Sequence, residues 1–435
     1  MNDAKIKNME SLATTDKRVD ALSIVEAGLQ AIDTRRLLEE AISIKDGTLC
    51  VGTQTCSIEA VERVFFVGIG KCAHQAAEIV EEKCGEILAG GIAIDVHVPE
   101  VCKTQKIKCI AGTHPEPSPT NIEVSREIVA LLSGLNEKDA VIVVVSGGGS
   151  TLLCLPSSGK NTCVEENLIL ETLFRKGAPI REINTVRKHM SEARGGFLAK
   201  HAYPAQVFGL IFSDVPGNDV SFIASGPTVK DETTIDDALG VLTKYSVQAT
   251  CGIEDCGLIE TPKDDKYFAR VSNTLLASNV VALSAMKQEA EKRGYRAEII
   301  SDALEGEAQE VGVQLVKKIQ EVEGPVVHLY GGETTVTFDV PGDGGRNQEV
   351  ALSAVRAVTD SELLISVASD GHDHGVFAGA IADTVVREKA DRLGLVIGGF
   401  LEKHNERMFY EQTEDYIFTG HTGSNVSDLL VVLKK

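Results

Sequence analysis

The amino-acid sequence predicts an α/β protein of two alternating units, built on a mostly parallel sheet covered on both faces. Three observations carry this. Short, near-continuous apolar runs recur, as at 64–67 and 141–145. Stretches of helical spacing separate them, as at 122–132 and 282–293. The runs end in polar loops that often carry glycine. A strand buried on both faces loses its in–out alternation and reads as one apolar segment.

The elements follow in order. Val19, Leu22, Val25, Ala27 and Leu29, then Leu37, Leu38 and Ala41, give the first sixty residues a helical period. A strand at 64–67 runs into Gly68-Ile69-Gly70-Lys71 and a helix to about residue 88. Strands at 92–98 and 107–111, a helix at 122–132 and a strand at 141–145 follow, the last ending in Ser146-Gly147-Gly148-Gly149-Ser150. The strand at 207–212 ends in Ser213-Asp214. Residues 248–266, with Cys251, Gly252, Cys256, Gly257 and Pro262, have little periodicity and read as a linker, giving domains at 1–250 and 266–435. The second unit reads as strands at 274–277, 297–300, 326–330, 334–340, 363–368 and 429–433, with helices at 282–293 and 307–319.

Composition narrows the function classes. A chain of 435 residues suggests two or three domains. With 43% hydrophobic and 25% charged residues, it has the composition of a folded globular protein. Its formal charge of −21 repels phosphate backbones and anionic bilayers, so no nucleic-acid or membrane partner is expected. No apolar run reaches 18 residues, and the N-terminus shows no secretory core. The ten cysteines include no CxxC, so they read as reduced, mostly packing thiols of a cytoplasmic protein.

Candidate chemistry lies at the strand ends, where open parallel sheets bind ligands. Gly68-x-Gly70-x-x-Ala73 fits the looser dinucleotide fingerprint, with Asp95 as the acid on the next strand. Lys71 inside that turn suits a phosphoryl group better, because a cation opposes the dipole at a helix N-terminus unless an anion joins it. Gly147, Gly148 and Gly149 let the backbone approach an anion and direct several N–H groups at it, flanked by Ser146 and Ser150. Residues 183–196 place Asn184, Arg187, Lys188 and Ser191 at the spacing of one helix face, and Arg187, Lys188, His189 and Arg194 form a basic island in an acidic chain. Asp214, Asn218, Asp219 and Asp370 are oxygen donors of the kind that hold Mg²⁺ or accept a hydroxyl proton; the competing role is helix capping. Arg346 follows two glycines and opens a helix, where it could grip a carboxylate or phosphate with two bonds. Asp370-Gly371-His372-Asp373-His374 has the residue types of a transition-metal site, although a glycine-flanked loop with histidines is more often simply polar.

Taken in order, these motifs resemble the glycerate 2-kinases that end in a MOFRL domain. The resemblance spans nearly the whole chain. It rests on Gly68-Ile69-Gly70-Lys71, Ser146 to Ser150, Asn184-Thr185-Val186-Arg187-Lys188-His189, Ser213-Asp214-Val215 and Ala224-Ser225-Gly226-Pro227-Thr228. In the second half it rests on Gly331-Gly332-Glu333-Thr334-Thr335-Val336-Thr337, Gly344-Gly345-Arg346-Asn347-Gln348-Glu349 and Thr422-Gly423-Ser424-Asn425-Val426. It implies a larger Rossmann-like N-terminal domain, a smaller C-terminal domain and a site in the cleft between them. It implies ATP-dependent phosphorylation of D-glycerate at the 2-hydroxyl, with Mg²⁺, and puts Lys71 and Arg346 at the active site. Asp214 and Asp370 are then the carboxylates for metal or acceptor. Gly70, Ser146 to Ser150, Asn184, Arg187, His189, Glu333 and Asn347 are the ligand-contact candidates.

Asn218 stands where relatives usually carry a second Asp, and Ser118 where an acid is usual. His372, Asp373, His374, His421 and Ser424 also depart from the pattern, so the acceptor pocket is expected to differ. A nicotinamide-dependent hydroxypyruvate reductase and a non-catalytic ligand-binding relative are the alternatives. Acidic cytosolic enzymes of this size often form dimers, so a homodimer is compatible with the sequence.

Overall fold

The structure, a computed structural model, describes residues 4–99, 102–157, 163–253, 255–338, 340 and 342–435. The chain divides into two compact units: Thr34–Leu276, and the residues up to Asp33 together with Ala277–Lys435.

The first unit opens with the helix Thr34–Ala41 and a three-stranded antiparallel meander of β1 (Ile42–Lys45), β2 (Thr48–Val51) and β3 (Gln54–Ser57). Asp46 and Gly47 both take positive φ between β1 and β2, the demand of a tight two-residue hairpin turn. Its main sheet contains β4 (Arg63–Ile69), β5 (Leu88–Asp95), β6 (Ile107–Ala111), β7 (Asp139–Val145), β8 (Gln206–Phe212) and β9 (Val271–Ala277). Their order is β6-β5-β4-β7-β8-β9, and the pairings from β6 through β8 are parallel. Every residue of β7 is buried, as its unbroken apolar sequence requires. The chain leaves β4 toward β5 on one side and returns to β7 on the other. That reversal opens a crevice at the carboxyl ends of β4 and β7. A smaller core of Ile169, Leu173, Ile183, Val186 and Leu242 joins the helices Cys163–Arg175, Ile180–His189 and Ile235–Lys244 beside the sheet's own core.

The second unit holds β10 (Arg296–Leu304), β11 (Val326–Gly332), β12 (Glu362–Ala368), β13 (Gly379–Ala382), β14 (Tyr416–Ile417) and β15 (Asp428–Lys434). Their order is β10-β11-β15-β12-β13-β14. Only β10 and β11 pair in parallel, so this sheet is mixed rather than mostly parallel. The last strand, β15, runs antiparallel between β11 and β12 and is nearly all buried. An apolar run reports burial on both faces but not strand direction, which is why the sequence did not distinguish the two sheets.

The expected division at 1–250 and 266–435 differs from the observed one in two places. The strand expected to open the second unit is β9, at the edge of the first sheet. The N-terminal helix Asp16–Ala31 belongs with the C-terminal unit. There it packs on the helix Asn279–Lys292, so closely that a Cβ on Gly28 would lie 2.7 Å from Met286 Cγ. Arg18 on this helix is 0% exposed, bonds both oxygens of Asp383 and reaches Asp415 at 2.8 Å. The strand expected at 334–340 is absent among the described residues there, where Thr335 makes only an isolated bridge to Glu307.

Removing one partner of a buried ion network strands the others. Arg18→Met is therefore expected to cost about 3–5 kcal/mol, read as a lower urea midpoint. An unchanged midpoint would show that the network does not tie the N-terminal helix to its unit.

Candidate active site

The β4–β7 crevice is built by a close approach of two turns. Gly70, at φ +115°, lies so near Ser146 that a Cβ there would fall 2.3 Å from its Oγ and 2.5 Å from its carbonyl oxygen. The turns are stitched together by Lys71 N donating to Gly147 O (3.0 Å), Cys72 N to Ser146 Oγ (3.2 Å) and Ser146 N to Ile69 O (2.9 Å). Lys71 and the triple-glycine turn thus share one end of adjacent strands. A Cβ on Gly148, itself at φ +79°, would sit 3.3 Å from the His114 ring and 3.6 Å from Lys71 Cγ. His114 arrives from the loop after β6, and burial together with the Lys71 ammonium holds its imidazole below the ordinary value. Among the described residues, the N–H groups of Gly147 and Gly148 donate no hydrogen bond, whereas Gly149 N donates to Ser146 O. Two open amides, a lysine and a histidine therefore gather on one concavity, a combination suited to an oxyanion.

Ser150 continues this turn into a second network. Ser225 Oγ donates to Asn184 Oδ1 at 2.8 Å, so at 3.0 Å it accepts from Ser150 Oγ. Ala224 and Ser225 hold positive φ, and a Cβ on Gly149 would meet Ala224 Cβ at 2.6 Å. Asn184 is buried in this network; its role is to hold Ser225 and, through it, Ser150.

The basic island is largely neutralised from within. Lys188 pairs with Asp231 at 3.3 Å, and Arg194 with Glu166 at 2.5 Å, both buried. His189 is 0% exposed, with Nδ1 on Thr185 O (2.8 Å) and Nε2 3.4 Å from Glu260 but without a hydrogen bond among the described residues. Arg187 differs. Its guanidinium makes no hydrogen bond or ion pair among the described residues, and burial with the neighbouring Arg194 pushes it down to about 10. Arg187 lines a cavity of about 350 Å³ with Pro115, Ser150, Thr151, Phe174 and Ile183. Ser191, expected on the same face, lies past the helix end and accepts from Leu155 N.

Asp214 follows β8, the neighbour of β7, and is half-buried at the same sheet end. Asn218, at φ +55°, leaves its buried Oδ1 without a hydrogen-bond partner among the described residues. Asp95, the acid that a dinucleotide would need, is 3% exposed and accepts from His74 N (3.0 Å) and His97 N (3.2 Å). It caps the helix Ala73–Cys84 and is committed there.

In the second unit, Glu333 after β11, Asp370 after β12 and Asp428 at the start of β15 share one sheet end, because Gly332, Asp428 and Ala368 are in register. Arg346 opens the helix Arg346–Val355, as expected. Its guanidinium grips Asp428 with two bonds, of 2.6 and 3.0 Å, and lies 3.2 Å from Glu333. Burial pushes the Asp428 carboxyl up, and Arg346 opposes that rise. Arg346 is thus flanked by two carboxylates and is not a bare anion receptor. Asn347 is buried, donating to Asp373 and accepting from Ser366 Oγ, so it positions the helix instead of facing a ligand.

Asp373 accepts from Asn347 N, Asn347 Nδ2, Gln348 N and Gln348 Nε2 at 2.9–3.2 Å, acting as a distant cap for a helix whose own cap is Gly345. His374 Nε2 contacts Asp343 at 3.0 Å, and Asp370 Oδ1 accepts from His372 N. Among the described residues, this loop forms no metal-ligand cluster. The sequence put the Thr113-His114-Pro115 loop on the same rim as Lys71 without singling out His114 as its neighbour, and it missed Asp428 and Asp373 as partners of the Arg346 turn. The only available signal for His114 was its place directly after a strand.

Fold and loops together define a two-unit α/β protein with a crevice whose donors suit an oxyanion. Residues 20–254 match the family described as a domain of unknown function, DUF4147, and 326–428 match the MOFRL family. A glycerate 2-kinase of Pyrococcus horikoshii is 36% identical, covering 96% of this chain and 97% of that protein. A putative hydroxypyruvate reductase of Agrobacterium vitis is 34% identical over 92% of this chain and 93% of its own length. The crystal structure of a glycerate kinase from Thermotoga maritima superposes with a TM-score of 0.83 at 31% identity, covering 95% of this chain and 98% of that one. The chain belongs to the glycerate kinase family that ends in a MOFRL domain.

Lys71→Ala is expected to raise the pKa of His114 toward the ordinary imidazole value, because it removes the neighbouring positive charge while burial remains. NMR titration of the imidazole protons measures this. An unmoved titration would place the lysine ammonium away from His114.

Proposed function

We propose that the chain transfers the γ-phosphoryl group of ATP to the 2-hydroxyl of D-glycerate, giving 2-phosphoglycerate and ADP. The observation that carries this reading is the crevice in which the open amides of Gly147 and Gly148 adjoin Lys71. Phosphoryl transfer needs charge neutralisation and in-line positioning more than covalent help from the protein. Oriented amides and a lysine ammonium supply that neutralisation without reorganising during the reaction.

The acceptor hydroxyl must lose its proton as its oxygen bonds to phosphorus and the bond to the ADP oxygen breaks. Asp214 and Asp370 are the carboxylates we assign to this proton and to Mg²⁺. Carboxylate oxygen beside phosphate donors is the usual Mg²⁺ shell, so the residue types fit the ion. When bound, Mg²⁺ supplies further charge neutralisation to the phosphates. Arg346, steadied by Asp428 and Glu333, is assigned to an anionic group of the substrates. Arg187, whose guanidinium is unpaired among the described residues, lies at the cavity beside Ser150 and is a second receptor for an anionic group of either substrate.

The name of the Agrobacterium relative makes hydroxypyruvate reduction the competing reading. The commitment of Asp95 to two backbone amides weighs against a dinucleotide there.

The test is phosphorus NMR of the products from ATP, Mg²⁺ and D-glycerate, alongside nicotinamide absorbance with hydroxypyruvate. A 2-phosphoglycerate resonance is expected, and Lys71→Ala should lower kcat by about 10²–10³-fold while the circular dichroism spectrum is kept. Nicotinamide oxidation without phosphoryl transfer would overturn the reading.

A further inference from the structure

Behind the Lys71 turn lies a group of side chains that the proposed phosphoryl transfer does not use. His74 occupies the first turn of the helix Ala73–Cys84, Cys109 lies on β6, and Cys102 sits in the connection from β5 to β6. Their ligand atoms, one imidazole nitrogen and two sulfurs, all fall within 4.8 Å of one another. His74 Nε2 is buried and has no hydrogen-bond partner among the described residues. The nearest carboxylate oxygen, Glu78 Oε1 one helical turn on, is 3.7 Å away. A buried imidazole nitrogen left without a hydrogen bond is uncommon in folded proteins and calls for an explanation.

We propose that His74, Cys102 and Cys109 bind a borderline-soft divalent cation, with Zn²⁺ the best fit, and that Glu78 completes a tetrahedron. Zinc takes sulfur at about 2.3 Å and nitrogen or carboxylate oxygen at about 2.0–2.2 Å, so tetrahedral ligand atoms lie roughly 3.3–3.8 Å apart. The His74–Glu78 separation already meets this; Glu78 lies outside the close group of His74, Cys102 and Cys109, so its carboxylate and the sulfurs must turn toward one another to close the shell. The surroundings suit an ion as well. Thr104 Oγ1 lies 2.9 Å from Cys102 Sγ and 3.5 Å from Cys109 Sγ, and its own proton goes to Ile107 O at 2.7 Å. Thr104 therefore accepts from the two S–H groups, and both thiols give up those protons when an ion binds. A cavity of about 330 Å³ lined by Arg35, Glu78, Glu81 and Thr104 gives an entry path, and its carboxylates draw cations in. Two thiolates and an imidazole select zinc over Mg²⁺, which prefers oxygen. The site is therefore distinct from the one that would serve ATP. His74 stands three residues after Lys71, so an ion here would pin the helix turn from which the phosphate-facing lysine projects.

The test uses the full-length protein, reduced, stripped with chelator, loaded with zinc sulfate and desalted. Mass spectrometry of the metal should find one zinc per chain, and Co²⁺ in its place should give the intense visible bands of a tetrahedral thiolate complex. Cys102→Ser and Cys109→Ser, both conservative and separately placed, should each lose the metal, whereas Cys154→Ser should keep it. Three results would overturn the proposal. One is no retained metal in the parent protein. Another is undiminished zinc in the Cys102→Ser/Cys109→Ser double variant, which would move the ion elsewhere, for instance to Glu349, His404 and Glu406. The third is a Cys102–Cys109 disulfide that persists under reductant and excludes the ion.

Discussion

The contact between Gly70 and Ser146 constrains the active crevice more than any other. Two turns from adjacent parallel strands come so close that no side chain fits at position 70, and three hydrogen bonds lock them there. The consequence is chemical. Locking the backbone of Lys71 against Gly147 turns one lysine and two amides toward a single concavity before any ligand arrives. A preorganised charge pattern of this kind needs little reorganisation when an oxyanion forms. A larger residue at Gly70 would push the turns apart and scatter those donors.

The protein's net charge of −21 makes such a site harder to build, and the structure shows how cations are spent elsewhere. Arg18 is consumed by Asp383 and Asp415, Arg194 by Glu166, Lys188 by Asp231 and Arg346 by Asp428 and Glu333. Each pair is buried or partly buried, where an uncompensated charge would be costly. The basic island visible in the sequence is therefore mainly a framework. Arg187 stands apart from it: among the described residues no acid pairs with its guanidinium, and Glu166, which lines the same cavity, is held by Arg194.

Much of this architecture was legible in the sequence. The apolar runs located β4 to β8 and β10 to β12 within a few residues, and Gly68 to Lys71 and Ser146 to Ser150 marked the crevice. What stayed hidden depends on partners far along the chain. Arg18 meets Asp383 across 365 positions, and no local pattern reports that the first helix joins the last unit. Asp231, which neutralises Lys188, and Asp428, which grips Arg346, are likewise 43 and 82 positions away. His189 and Asn347 looked like ligand contacts because polar residues in motifs invite that reading, yet both are needed to satisfy buried neighbours. Asp46-Gly47 was a readable hairpin signal that the helical period around it obscured. Strand direction in the second sheet was not readable at all, since burial on both faces looks the same for either direction.

The central claim is that the Gly147 and Gly148 amides receive the phosphates. Amide-resolved NMR of the uniformly ¹⁵N-labelled protein, titrated with a non-hydrolysable ATP analogue, measures this directly. The account predicts large downfield proton shifts at these two glycines, as new charge-assisted hydrogen bonds form. Saturating analogue that leaves both resonances in place, while shifting amides elsewhere, would contradict it.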